Sequence, residues 1–299
     1  MADIPHYARP LAEFNREFDF FIGIDSDGCA FDTMEVKHKE CFIPNTIKHW
    51  DLQAVSKYGR EAAEFVNLYS KWRGINRWPA LVMAFDLLRE RPEVIRRHIS
   101  PPNAVRLRDF IAAGGALSNE SLQERIDQTG DPELIRALAW SEEVNATIAE
   151  IVHGVPPFPF VRESLEALQT RADMIVVSAT PGEALAREWE EHDIARYMKV
   201  IAGQEMGTKS QHLRYATDGR YRPDHILMIG DAPGDMKAAR DNQALFFPIN
   251  PGYEDQSWER FYREGIERFL LGTYAGDYEA QLITEFEALL PDTPPWKRT

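Results

Sequence analysis

Two carboxylates one residue apart, Asp25 and Asp27, stand in the string Asp25-Ser26-Asp27-Gly28, directly behind the apolar run Phe20–Ile24. Acidic side chains this close are unfavourable at the edge of a hydrophobic run unless a cation compensates them. Gly28 allows the sharp turn that would bring both to one place. The string is not an EF-hand loop, because its glycine is at the wrong offset and no glutamate closes it. A second acidic group closes another apolar run, in Gly230-Asp231-Ala232-Pro233-Gly234-Asp235. Asp231 ends the run. Asp235 fits a ligand position and equally the cap of a following helix, whose N-terminus favours an anion. Together the two sites offer three or four oxygens to one hard cation, and Mg²⁺ suits such a set because it takes oxygen ligands and keeps waters beside a phosphate. Ser178 ends a third run, where its hydroxyl could donate to a phosphate oxygen or cap the next helix, a role open to Thr180 as well. Lys209 follows a fourth run and would supply a fixed positive charge for developing phosphoryl charge.

Those residues need elements that carry them to one crevice. Short runs rich in β-branched or aromatic residues occupy 20–24, 174–180, 198–203, 225–231 and 244–249, each bounded by Gly, Pro or Asp. This pattern predicts strands buried on both faces. Helical segments at 183–191, 209–216 and 235–240 separate the later runs. The alternation predicts an α/β fold with a Rossmann-like parallel sheet, whose ligands bind beyond the carboxyl ends of the strands.

From 32 to 155 the pattern changes and no strand is expected. Ala62, Phe65, Val66, Tyr69 and Trp72 share one helical face. Asp131-Pro132 reads as a helix start, and the segment 103–113 ends at Gly114-Gly115, a helix stop. The expected organisation is therefore a catalytic core of residues 1–31 and 158–299, with a helical cap domain of residues 32–157 inserted in it. Prolines stiffen the return linker, 155–160. Within the insert, the string 71–79 reads as a loop. Arg73 and Arg77 in it could bind an anionic group, or the string could form a helix–helix corner with its tryptophans packed inside. Lys37, His38 and Lys39 lie at the entry to the insert. Trp258, Phe261, Tyr262 and Phe269 recur helically and predict a C-terminal extension packed on the core; the tail after Pro291 is expected to be loose.

Composition narrows the function classes. The chain of 299 residues holds 34 Lys and Arg against 48 Asp and Glu, a formal charge of −14. This balance argues against non-specific nucleic-acid or anionic-membrane binding. Residues 32–110 are more basic than the rest, with 14 Lys and Arg against 10 Asp and Glu, as a module facing an anionic substrate would be. The two cysteines, Cys29 and Cys41, make neither a disulfide framework nor a zinc motif. The first residues form no signal peptide, and no apolar stretch is long enough to span a membrane. A soluble cytoplasmic protein is the expectation.

The four motifs, in this order, resemble the signature of the haloacid dehalogenase-like superfamily: strand and Asp-x-Asp (Asp25, Asp27), strand and Ser (Ser178), Lys (Lys209), strand and Gly-Asp-x-x-x-Asp (Asp231, Asp235). The insert directly behind the first motif is similar to that family's C1-type cap. The resemblance implies that Asp25 is the nucleophile, forming an aspartyl-phosphate, and that Asp27 gives and takes the proton. It implies Mg²⁺ held by Asp25, Asp231 and the backbone carbonyl of Asp27, with Asp235 as a further ligand or orienter. Ser178 and Lys209 would hold the phosphoryl group, with Ser26 and Ala179, and Arg73 and Arg77 from the cap, as contacts to substrate. The implied activity is a Mg²⁺-dependent phosphatase acting on a small phosphorylated metabolite. A sugar phosphomutase like β-phosphoglucomutase and a non-catalytic phospholigand-binding protein are its rivals. Cys29 departs from the family's usual Thr or Val and reads as a small core residue. Oligomeric state is not legible.

Overall fold

The computed structural model describes residues 4–297. Five parallel strands form one sheet: β1 (Phe20–Ile24), β2 (Ala172–Val177), β3 (Val200–Ala202), β4 (Ile226–Gly230) and β5 (Leu245–Pro248), in the order β3-β2-β1-β4-β5. All five lie within or beside the expected runs. Every residue of β2 and β4 is buried, which is why 174–177 and 226–230 read as continuous apolar runs rather than as alternations; the buried Asp173 of β2 accepts from the Glu17 and Phe18 amides and the Tyr221 hydroxyl. The chain has the Rossmann-like α/β fold with an inserted helical module that its patterning predicted.

The chain divides into two compact units: Met1–Thr33 with Gly154–Leu289, and Met34–His153 with Leu290–Thr299. The sheet, with a core built around Ile22, Ile24, Met174, Val176, Leu227 and Ile229, belongs to the first. Trp258, Phe261 and Phe269 join that core fully buried, as expected of an extension packed on the sheet, whereas Tyr262 is exposed.

The second unit is helical, and no strand occurs between 34 and 153. Trp78, Phe85, Leu107, Leu134 and Trp140 lie in its main core. Three expectations need correction here. The helix through Ala62, Phe65 and Val66 is Ser56–Asn67, so Tyr69 and Trp72 lie beyond its end. The string 71–79 is only in part a loop: a helix starts at Arg77 and runs to Arg89, capped by Asn76, whose side chain accepts the Trp78 N–H. The tail after Pro291 is not loose as far as Lys297, and its last two residues lie outside the described ones. Pro291 accepts from the Lys71 N–H, Asp292 pairs with Lys71, Lys297 pairs with Glu90, and the Trp296 ring packs on Phe65 and lies 4.2 Å from the Arg91 guanidinium. Aromatic and ionic contacts together outweigh the entropy that would free such a tail. Among the described residues, no helix is long and apolar enough to cross a membrane.

Candidate active site

Register explains why the motif residues meet. Ile24 of β1 pairs with Val176 of β2 and with Ile229 of β4, and adjacent strands lie about 4.8 Å apart. Asp25 follows Ile24 directly, and Ser178 and Asp231 stand two residues beyond its partners, so the three lie just past the ends of three adjacent strands: Asp25 at the centre, Ser178 on one side and Asp231 on the other. The Asp25 N–H extends the ladder to the Ile229 carbonyl at 3.0 Å. Gly28, at φ 77°, turns the chain back, and its N–H donates to the Phe31 carbonyl at 2.8 Å.

Lys209 is the first residue of the helix Lys209–Thr217, which Thr208 and Gln211 open with a reciprocal capping box. That start aims its side chain at the strand ends. Nζ donates to Asp25 Oδ2 at 2.7 Å and to Asp235 Oδ1 at 2.6 Å. The other Asp235 oxygen accepts from the Ala232 N–H at 3.0 Å, so Asp235 both caps its helix and faces the cluster. A Cβ on Gly230 would come within 2.3 Å of Asp235 Cβ, so only glycine lets Asp235 lie against the strand end. One oxygen each from Asp25, Asp231 and Asp235 gathers within 4.8 Å of the others, and all three residues are buried.

The electrostatics of this cluster are unbalanced. Burial pushes the Asp25 carboxyl well above its ordinary value; Lys209 opposes that, and Asp235 and Asp231 add to it. Burial likewise raises Asp235, against Lys209. Burial pulls the Lys209 ammonium down, but Asp235, Asp25 and Asp231 together drive it upward. Three carboxylates share one ammonium, and a divalent cation would compensate the remainder. The donor set fits such an ion. It is all oxygen, and ligands about 2.1 Å from a Mg²⁺ sit roughly 3–4 Å from one another. Cys29 is buried beside this group, and burial with the nearby Asp231, Asp25 and Asp235 carboxylates pushes its thiol well up, the opposite of an activated nucleophile.

The remaining expected residues fall into different places. The carboxylate of Asp27 lies outside the three-oxygen cluster: Oδ1 accepts from the Thr33 hydroxyl and Oδ2 from the Thr180 hydroxyl at 2.7 Å. Ser178 is buried at the end of β2, and its Oγ accepts from the Thr180 N–H at 3.2 Å, next to exposed Ala179. Thr180 does not cap the next helix, whose first turn has no side-chain cap. Ser26 turns its side chain away from the cluster, accepting from Trp189 Nε1 and donating to Glu188 Oε2. Arg73 and Arg77 are engaged within the second unit. Arg73 is buried and donates to the Leu68 carbonyl at 2.9 Å. Arg77 donates to Ser141 Oγ at 2.6 Å and Asn145 Oδ1 at 2.9 Å, stacks on Phe42, and is lowered by burial to about 10.

Sequence reading missed Thr33, Thr180, Glu188 and Trp189. Thr180 was within reach of it, two residues past a strand-end serine. The other three declare themselves only through contacts.

Comparison with known proteins adds the following. A family model of haloacid dehalogenase-like hydrolases matches residues 102–247, a span that includes Ser178, Lys209, Asp231 and Asp235. No curated protein matches the chain. Among solved structures, the chain is similar to a predicted phosphoglycolate phosphatase from Haemophilus somnus, with 16% identity, 77% of this chain and 84% of that chain covered, and a TM-score of 0.46. It is similar to a haloacid dehalogenase-like hydrolase from Streptococcus pneumoniae, with 14% identity, 82% and 90% covered, and a TM-score of 0.47. It is also similar to a β-phosphoglucomutase from Clostridium difficile, with 14% identity, 85% and 98% covered, and a TM-score of 0.49.

Proposed function

We propose, starting from a chain that belongs to the haloacid dehalogenase-like superfamily, that this protein is a metal-dependent phosphatase acting on a small phosphorylated metabolite. The observation that carries the reading is the buried group of Asp25, Asp231 and Asp235, with Lys209 bonded to the first and the last. A fold gains nothing in stability from three converging buried acids, but phosphoryl transfer needs this arrangement of oxygen ligands, nucleophile and fixed positive charge.

Asp25 is the proposed nucleophile. Its carboxylate attacks phosphorus, the bond to the leaving oxygen breaks, and an aspartyl-phosphate forms. Asp27 gives its proton to the departing oxygen. A water then attacks the same phosphorus, Asp27 recovers a proton from it, and phosphate leaves with the Asp25 carboxylate restored. Dividing one displacement into two lowers each barrier, and the acid–base help of Asp27 contributes about 10²–10⁴-fold. Lys209 and Ser178 hold the phosphoryl oxygens. Asp25, Asp231, Asp235 and the Asp27 carbonyl would hold Mg²⁺, which supplies charge neutralisation between the substrate dianion and the nucleophile.

The test is phosphate release from p-nitrophenyl phosphate. Expected are turnover with Mg²⁺, its loss in EDTA, and its loss in Asp25→Asn. Release that ignores EDTA, or that survives Asp25→Asn, refutes the reading. Isomerisation of a sugar phosphate without free phosphate would replace hydrolysis by mutase chemistry on the same nucleophile.

A further inference from the structure

Ser26, between the two aspartates, has every polar group engaged. Its N–H donates to Asp25 Oδ1 at 2.8 Å. Its carbonyl accepts from the Cys29, Ala30 and Phe31 amides at 3.2, 2.9 and 3.1 Å. Its hydroxyl accepts from Trp189 Nε1 at 2.9 Å and donates to Glu188 Oε2 at 2.9 Å. Ser26 and Trp189 are fully buried, and Glu188 and Trp189 both belong to the helix Gly182–Glu191. A single residue therefore joins the nucleophile's carboxylate on one side to a helix surface on the other.

Asp25 is held at two points. Lys209 grips Oδ2, and the Ser26 N–H grips Oδ1. The first grip is a flexible lysine. The second is a peptide plane, whose tilt is fixed by whatever fixes Ser26. The loop's own amides hold the carbonyl end of the residue. Only the hydroxyl ties it to something outside the loop, and the tie is directional because Oγ accepts one bond and donates another along fixed lines. A Ser26 without its hydroxyl would keep the loop bonds but release this outer anchor, and Trp189 Nε1 would be left buried with no acceptor.

We propose that Glu188 and Trp189, acting through the Ser26 hydroxyl, are positioning residues that aim the Asp25 carboxylate. The proposal rests on Asp25 being the nucleophile. Aim matters in the transfer step far more than in binding, because attack requires the oxygen in line with the leaving group, and a misplacement of about 1 Å lowers rate roughly a hundredfold.

The experiment compares Ser26→Ala, Trp189→Phe, Glu188→Ala and Glu188→Gln with the unaltered protein on p-nitrophenyl phosphate with Mg²⁺. Rates are normalised to folded protein measured by near-UV circular dichroism. Ser26→Ala and Trp189→Phe are expected to lower kcat by about tenfold or more, with KM within about twofold. Glu188→Gln, which keeps an oxygen acceptor for the hydroxyl, is expected to recover most of what Glu188→Ala loses. The double variant Ser26→Ala with Trp189→Phe is expected to be little worse than Ser26→Ala alone, since both open the same link. The proposal is overturned if kcat per folded molecule is unchanged in Ser26→Ala and Trp189→Phe, if KM carries the loss, or if the two losses multiply. Asp25→Asn in the same series separates the failures. Activity surviving there removes the nucleophile assignment and this proposal with it; activity lost there but untouched in Ser26→Ala removes the positioning role alone.

Discussion

Buried charge is arranged in opposite ways in the two units. At the strand ends of the first, Asp25, Asp231 and Asp235 converge on one lysine, and burial raises Asp25 and Asp235 because their partners do not suffice. In the second, Arg91 is almost fully buried yet sits between the Trp296 and Tyr58 rings, 4.2 and 5.0 Å from its guanidinium carbon, with Glu61 bonded to Nη2. Arg77 has neutral partners, a hydroxyl, an amide oxygen and a ring, and burial lowers it to about 10. Charge that is matched within its own unit supports architecture. Charge left in excess is unfavourable for folding and persists where an outside ion or substrate completes it. On that ground the acidic cluster is the place to look for chemistry.

The widest separation of the two kinds of site comes from Asp231→Asn. Removing one of three converging carboxylates is expected to lower kcat by about 10³-fold or more, as loss of a principal electrostatic group does, while the metal-free protein melts higher than the unaltered one because the excess charge is relieved. The rise in melting temperature on adding Mg²⁺ should shrink or vanish. Thermal unfolding with and without Mg²⁺, beside turnover, reads all three. A lower metal-free melting temperature in the variant would mean that the cluster is already balanced by the chain itself.

A second probe lies just behind the site. His212, buried on the helix that Lys209 opens, is lowered by burial, and then by Lys209, from 6.5 to about 4. The unfolded chain takes up a proton near 6.5 that the folded chain refuses until about 4, so this residue's contribution to stability is complete above 6.5 and falls as pH drops through that window. Full loss approaches about 3 kcal/mol. Denaturant unfolding at pH 7 and pH 4.5 is expected to show a smaller difference for His212→Leu than for the unaltered chain. An equal difference would assign the acid sensitivity elsewhere.

Arg91→Met tests the matched arrangement. It keeps a long apolar stem but removes the guanidinium from between two rings and from Glu61. Because Glu61 retains contact with water, its stranded charge adds little. The expected loss is about 2 kcal/mol of stability, with kcat per folded molecule unchanged. A changed kcat would break the division between architectural and chemical charge.

These sites were unequally legible in the sequence. The strand-end aspartates, Lys209 and the five runs could be read because each signal is local: an apolar run, an acid at its end, a fixed order. Where signals were local but conflicting, the reading erred. The string 71–79 lies between two helical patterns and reads as a loop, yet the asparagine cap at Asn76 starts a helix inside it. Docking of Trp296 on Arg91 could not be read at all, since more than 200 residues separate them and nothing near the tail names its partner. Separations of 153 to 163 residues likewise hide the Thr180 hydroxyl on Asp27 and the bonds of Ser26 to Glu188 and Trp189. Local patterning specifies which residues reach an edge; the partners that hold them there are chosen by packing.

The smallest expected effect concerns Gly59, in the interior of the helix Ser56–Asn67. Its φ is not in the left-handed region, and a Cβ built on it meets nothing within 4 Å. It borders a small apolar hollow lined by Ile43, Ile47, Leu52, Ala63 and Phe85. Glycine in a helix interior is unfavourable by about 0.5–1 kcal/mol relative to alanine, because the unfolded chain has more freedom to lose. Gly59→Ala should therefore stabilise the protein by about that amount and leave kcat unchanged, since the site it touches is architectural. Chemical denaturation and steady-state turnover on the same preparation check both halves. Stabilisation accompanied by reduced turnover would show that the helical unit must flex at this point during catalysis, and would bring the two units' roles closer together than their charges suggest.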